Sequence, residues 1–234
     1  MVQGVCQPVV MTGRPAALAP LWHTRALVSV LLLAPLTSLL VGRDQAPLVM
    51  IEAQVSRVYV PLLLANLLFV VYVARVGLGR SIFWELFGRF RGPSQVLREA
   101  GYGLAFALAL FSVDGALQYA AGWPESLGAH ALLPQSARAK LCWVALAACV
   151  GWGEELVYRG YLQRQFTGLT GSVAAGITIQ AVLFGIAHGE QGALTVLRFT
   201  AFALALGCLA KARRSLLAVV ICHCALDLYA GLWG

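Results

Sequence analysis

The sequence predicts an all-α fold, a polytopic transmembrane helical bundle of about seven spans. Three observations predict it. Of 234 residues, 60% are hydrophobic and only 12% are charged, against about 45–50% and 25% in a soluble domain. Mean hydropathy is +0.79. Seven apolar runs each supply roughly the 17–25 residues that a membrane crossing needs. Backbone amides in hydrocarbon must bond within their own segment, so such runs are helices rather than isolated strands. The net charge of +7 is no nucleic-acid signature, because the basic residues fall mainly between the apolar runs, where they set orientation.

Residues 1–25 are mixed and contain prolines, and they read as a poorly ordered tail. Residues 26–234 then read as a single transmembrane domain. The first span is about 26–42. The tail before it is long and no small-x-small cleavage site follows, so it reads as a helix and not as a signal-peptide core. The second span, about 58–78, has Pro61 near its start. Near 80–92, Ile82, Phe83, Leu86, Phe87 and Phe90 fall at helical spacing between arginines, which predicts an amphipathic helix in the interface. A plain loop helix is the simpler alternative. The remaining spans are about 100–121, 139–163, 172–189, 192–210 and 214–232, with no internal repeat or low-complexity tract.

Basic residues set the orientation. Eleven of them (Arg14, Arg25, Arg75, Arg80, Arg89, Arg91, Arg98, Arg164, Lys211, Arg213 and Arg214) share one side of a seven-span chain, against Arg43, Arg57, Arg138 and Lys140 on the other. The bias places the N-terminus in the cytoplasm. The preference for Arg over Lys, with the wealth of Ala, Leu, Gly and Val, fits a GC-rich bacterial genome and so a bacterial cytoplasmic membrane.

Within the spans stand Asp114, Glu154, Glu155, Arg159, His188, Arg198, His223 and Asp227. An ionisable group at the bilayer centre costs about 2.5–3.5 kcal/mol on insertion scales, so Glu154, Glu155, Arg159 and Asp227 alone come to roughly 10 kcal/mol before pairing. An inert bundle has no use for that cost, and function is the default reading. Glu155 and Arg159 are i,i+4 and can pair on one helix face. Glu154 lies about 100° round the helix, which leaves it the better candidate for a free base. Phe184 and His188 are also i,i+4, as are His223 and Asp227, so three helices each present one polar stripe. Asp114 and Arg198 lack companions at helical spacing and read as snorkelling side chains or members of a structural pair. His23 and His130 are assigned no role.

The order Glu-Glu-x-x-x-Arg, Phe-x-x-x-His, His-x-x-x-Asp, present here as EELVYR, FGIAH and HCALD, resembles the CPBP intramembrane proteases. That family is also called the Abi or CAAX-protease family and includes the Rce1-type prenyl-protein endopeptidases. The resemblance covers about residues 140–232. It implies a glutamic-type endopeptidase cutting a membrane-associated protein or peptide. Glu154 with His188 would activate a water, and His223 with Asp227 would stabilise the oxyanion. Glu155 and Arg159 would hold the fourth helix and orient the base, with Phe184 in support. No cofactor is implied. Asp227 can donate only when protonated; otherwise it would orient His223, leaving that residue as sole donor. Counted from residue 168 as the centre of the fourth loop, Glu154 and His188 lie at depths differing by roughly 9 Å, which tilt or a broken helix must absorb.

Two other readings compete. Glu154, His188 and His223 make a possible zinc ligand set with one open position, although H-E-x-x-H is lacking. A membrane transporter, or a binding or immunity protein, could also keep such a cluster, although there are no repeated halves of the transporter kind. Among the six cysteines, Cys222 and Cys224 flank His223 but point about 200° apart on a helix, so they do not converge on one ion.

Overall fold

The computed structural model describes residues 16–41, 55–76, 92–122 and 132–233. Among the described residues there is no strand. Helix α1 spans Leu21–Val41, and α2 spans Val60–Val76 after a π-helical turn, Val55–Tyr59. Helix α3 is Pro93–Ala121 and α4 is Ala137–Glu155. A π-helical segment, Leu156–Leu162, continues α4 into α5, Gln163–Thr170, as one rod of 34 residues. Then come α6, Val173–Ala187, a short 3-10 turn, Gly189–Gln191, α7, Ala193–Arg213, and α8, Leu217–Trp233.

Four stretches are long and apolar enough to cross a membrane: Val55–Arg75, Pro93–Ala120, Ala137–Thr170 and Ala193–Arg213. Three shorter apolar helices, Leu21–Leu33, Val173–Ala187 and Leu217–Trp233, accompany them. Large apolar side chains on α2 and α3 point outward, among them Leu64, Leu68, Leu104 and Leu108, as lipid-facing residues should. The chain is an integral membrane protein with a helical bundle fold. The expected amphipathic helix near 80–92 lies outside the described residues except for Gly92.

Of the stretch 1–25 that reads as a tail, residues 16–25 are described. Helix α1 begins at Leu21, and the chain before it is pinned to α5. The buried Gln165 accepts the backbone N–H of Leu18 at 2.6 Å and of Ala19 at 3.0 Å. Its amide nitrogen donates to the Ala19 carbonyl at 2.7 Å and to Thr24 Oγ1 at 2.9 Å. One side-chain amide offers both a donor and an acceptor, so it satisfies open backbone groups ahead of a helix. His23 is also fully buried, stacked on Tyr72 at 4.1 Å and bonded through Nδ1 to the Tyr161 hydroxyl at 2.7 Å.

Local signals set the helix ends around the site. Ser136 caps α4 by accepting the Ala139 N–H at 3.1 Å. Gly171 takes the left-handed conformation (φ 72°) that closes α5, and Ser172 caps α6 by accepting the Ala175 N–H. Helices α5 and α6 are thus joined by a two-residue turn and pack as a hairpin. Helix α6 packs in turn on α7, and α8 packs on both α3 and α4. The α6–α7 contact depends on Gly185, where an added Cβ would collide with the Thr200 hydroxyl and lie 2.5 Å from the Val196 carbonyl oxygen. Gly185→Ala is expected to force these helices apart and destabilise by about 1–3 kcal/mol, read as a lower Tm of the purified protein. An unchanged Tm would mean that the two backbones can part freely.

Candidate active site

The site forms where the 34-residue rod changes winding. Glu154 and Glu155 close α4, and all seven residues of the π-helical segment after them are buried. Such π turns recur at functional sites. Glu155 and Arg159 have no exposed side-chain surface, and Arg159 Nη1 donates to Glu155 Oε1 at 2.7 Å. The guanidinium sits 4.8 Å over the Phe184 ring, whose face attracts the cation. Arg159 Nε and Nη2 and Glu155 Oε2 have no hydrogen-bond partner among the described residues. A buried pair of this kind stabilises little, because desolvation offsets its Coulomb attraction. Its presence is better explained by what it holds.

It holds His223. The same Glu155 oxygen accepts from His223 Nδ1 at 2.7 Å. An ionised carboxylate only accepts, so Nδ1 carries the hydrogen and the tautomer is set. Nε2 then faces two further carboxylates, Glu154 at 3.8 Å and Asp227 at 3.6 Å. Those separations are too long for a direct hydrogen bond and suit an intervening water or substrate oxygen. Exposure sorts the three carboxylates: Glu155 is fully buried behind the imidazole, whereas Glu154 and Asp227 in front of it are 23% and 31% exposed.

His188 terminates α6 with bridge-region backbone angles, φ −101° and ψ 15°. Its Nδ1–H donates to the Phe184 carbonyl at 2.8 Å. A carbonyl can only accept, so the neutral ring keeps a lone pair on Nε2. The ring lies between Phe184 (4.6 Å between centroids) and Phe199 (4.7 Å). Phe184 also meets His223 at 6.1 Å and Tyr158 at 4.9 Å, making it the hub on which both histidines and Arg159 rest. The 15 residues of α6 rise about 22 Å, short of the roughly 30 Å of hydrocarbon. The helix therefore breaks at His188 inside the bundle, where irregular backbone is tolerated because it lines protein.

The expected depth mismatch of roughly 9 Å disappears. The turn lies at Gly171–Ser172, not at 168, so Glu154 is 17 residues before Gly171 and His188 is 16 after Ser172. Glu154, Glu155, Arg159, Phe184, His223 and Asp227 converge, with His188 at their flank against the Phe184 ring. Among the described residues no hydrogen bond or ion pair joins His188 to Glu154. One Glu155 oxygen is shared between Arg159 on the same rod and His223 across the contact with α8. Asp227 stands 3.6 Å from His223 Nε2 while Glu155 holds Nδ1. Asp114 and Arg198 find each other across 84 residues, in a bidentate pair with Arg198 Nε 2.9 Å from Asp114 Oδ1.

Two residues of the site escaped the sequence reading. Trp143 Nε1 donates to the Asp227 backbone carbonyl at 2.8 Å, bracing α8 on α4. Its signal was its place eleven residues before Glu154, three helical turns along the same face. Phe199 confines His188, and an apolar ring in an apolar span carries no signal.

Among the described residues no group of three or more His, Cys, Asp or Glu side chains is placed to hold a metal ion.

Comparison with known families agrees with the geometry. Residues 136–229 match the family described as Type II CAAX prenyl endopeptidase Rce1-like. The match covers 94 of the 234 residues and is a similarity of this stretch to that family. It runs from the N-cap of α4 to the last turns of α8 and so contains every residue of the cluster. No curated protein and no solved structure matches the chain.

Proposed function

We propose that the Rce1-like domain is a glutamic-type intramembrane endopeptidase that works without a metal. The observation that carries this reading is His223, held from behind by the buried Glu155–Arg159 pair and turned to face Glu154 and Asp227 at 3.8 and 3.6 Å. Separations of that length suit a bridging water or carbonyl oxygen.

In this mechanism Glu154 takes a proton from the attacking water, and His188, through Nε2, shares that proton. The water oxygen bonds to the scissile carbonyl carbon. The oxyanion so formed accepts from His223 Nε2–H, which requires the imidazolium, because Nδ1–H is already committed to Glu155. Asp227 adds a second donor when protonated. The proton on Glu154 then passes to the leaving nitrogen as the C–N bond breaks. Donors aimed at the developing charge supply a few kcal/mol of barrier lowering. Glu155, Arg159 and Phe184 position the two histidines.

The substrate is a protein or peptide whose cleavage site lies within or near the membrane. The protein sits in a bacterial cytoplasmic membrane with its N-terminus in the cytoplasm, as the basic residues indicate. Comparing the membrane proteome of cells carrying the native chain with that of cells carrying Glu154→Gln tests the function. One uncut precursor should accumulate; an unchanged proteome counts against proteolysis. Metal dependence is tested separately. Purified protein washed with chelator is expected to cleave at full rate with far less than one zinc per chain. Stoichiometric zinc whose removal abolishes cleavage would overturn the metal-free mechanism.

A further inference from the structure

We propose that the cleft between α3 and α7 is a lateral portal by which a membrane-embedded peptide reaches the site, and that the Asp114–Arg198 pair latches it. The proposal rests on the protease reading above. Helix α3 packs against α8, which carries His223 and Asp227, and α7 packs against α6, which carries His188. Among the described residues α3 and α7 share no extended backbone contact of their own. Side chains bridge the space instead, in two bidentate pairs, Asp114–Arg198 and Glu99–Arg213. Glu99 and Asp114 are fifteen positions apart, and so are Arg198 and Arg213. The two helices therefore run antiparallel with a clasp at each end, about 22 Å apart.

The two clasps are built differently. At one end Glu99 is buried, Arg213 lies 4.0 Å over the Tyr102 ring, and a Cβ on Gly103 would lie 2.5 Å from the Ala218 carbonyl oxygen. That end is anchored through the buried Glu99 and the packing of α3 on α8 at Gly103, with Arg213 itself 23% exposed. At the other end the side chains of Asp114 and Arg198 are 14% and 20% exposed, and the one further partner among the described residues is Gln118, donating to Asp114 at 2.7 Å. Bare charges facing hydrocarbon are held paired by the cost of separating them. A polar backbone arriving from the membrane offers each of them a substitute partner.

The latch lies level with the chemistry. Arg198 directly precedes Phe199, whose ring meets His188. Asp114 is one turn from Phe111, which packs at 4.4 Å on Tyr229, two residues after Asp227. Parting α3 from α7 at this end uncovers the site at its histidine and aspartate, while the Glu99 end serves as the pivot. An extended peptide requires an opening of about 5 Å, the spacing of neighbouring strands.

The test uses the full chain in lipid nanodiscs, with its native cysteines replaced and spin labels placed at exposed positions. Leu117 with Leu197 reports the latch, and Leu97 with Ala212 reports the pivot. Asp114→Asn and Arg198→Gln are each expected to lengthen the latch distance by about 5 Å and to leave the pivot distance unchanged. The charge swap, Asp114→Arg with Arg198→Asp, should restore the native distance. An unchanged latch distance, or both ends widening together, overturns the proposal. In the second arm, the precursor that accumulates with Glu154→Gln is presented once with its membrane span and once as a short soluble peptide. The latch variants should cut the spanning form several-fold faster and the soluble peptide at the native rate. Equal effects on both, or none, overturn the portal. If the native chain cuts neither, the protease reading falls, and the distances still decide the latch.

Discussion

Glu154→Gln is expected to lower the cleavage rate by roughly 10²–10⁴-fold, the usual contribution of a general base, with the fold intact. Glutamine keeps the shape and loses the proton-accepting oxygen. Glu154 is partly exposed, and its one ion-pair contact among the described residues, to His223 at 3.8 Å, is too long for a hydrogen bond. Stability should therefore change by less than about 1 kcal/mol. The checks are single-turnover cleavage in reconstituted bilayers and a thermal melt on the same sample. Native-like cleavage by the variant would remove Glu154 from the mechanism. A transporter or binding protein built on this cluster could keep its function in the variant; a protease cannot.

The second large effect concerns stability. Glu155→Ala strips the partner from a guanidinium with no exposed surface, and breaking a buried pair on one side costs about 3–5 kcal/mol. Arg159→Leu should cost a similar amount by stranding Glu155. Removing both charges with apolar residues of similar volume is expected to recover most of that loss, because the desolvation penalty goes with them. Cleavage should not recover, since His223 would have lost the acceptor of its Nδ1–H. Melts and cleavage rates of the two single variants and the double variant complete the cycle. If the double variant regained both stability and cleavage, the pair would not be positioning His223. If it regained neither, desolvation would not be the dominant cost.

The helical bundle was legible because hydrocarbon imposes a length and an apolar content on any crossing segment. Both survive in local composition, so the later spans match α4 to α8 closely. The cluster was legible for a related reason. Glu155 with Arg159, Phe184 with His188, and His223 with Asp227 each recur at i,i+4, a spacing that is itself geometry on a helix. Gln165, which holds Leu18 and Ala19, is 146 or more residues distant from them, and no periodicity connects such positions. The turn at Gly171–Ser172 was misplaced by about one helical turn, and a false depth mismatch followed from that alone.

From sequence, then, came the membrane solvent, the helices, and the list of groups too costly to keep in hydrocarbon without use. Which of those groups face one another came from packing. Helix α8 lies against α4, so the Glu155 oxygen is shared between Arg159 on its own rod and His223 across the contact. That sharing ties the buried pair to the imidazole. The pairing of Asp114 with Arg198 has the same origin. Local spacing encodes what lies on one face of one helix, whereas a contact between helices depends on tilt, rotation and backbone approach, which no single segment contains.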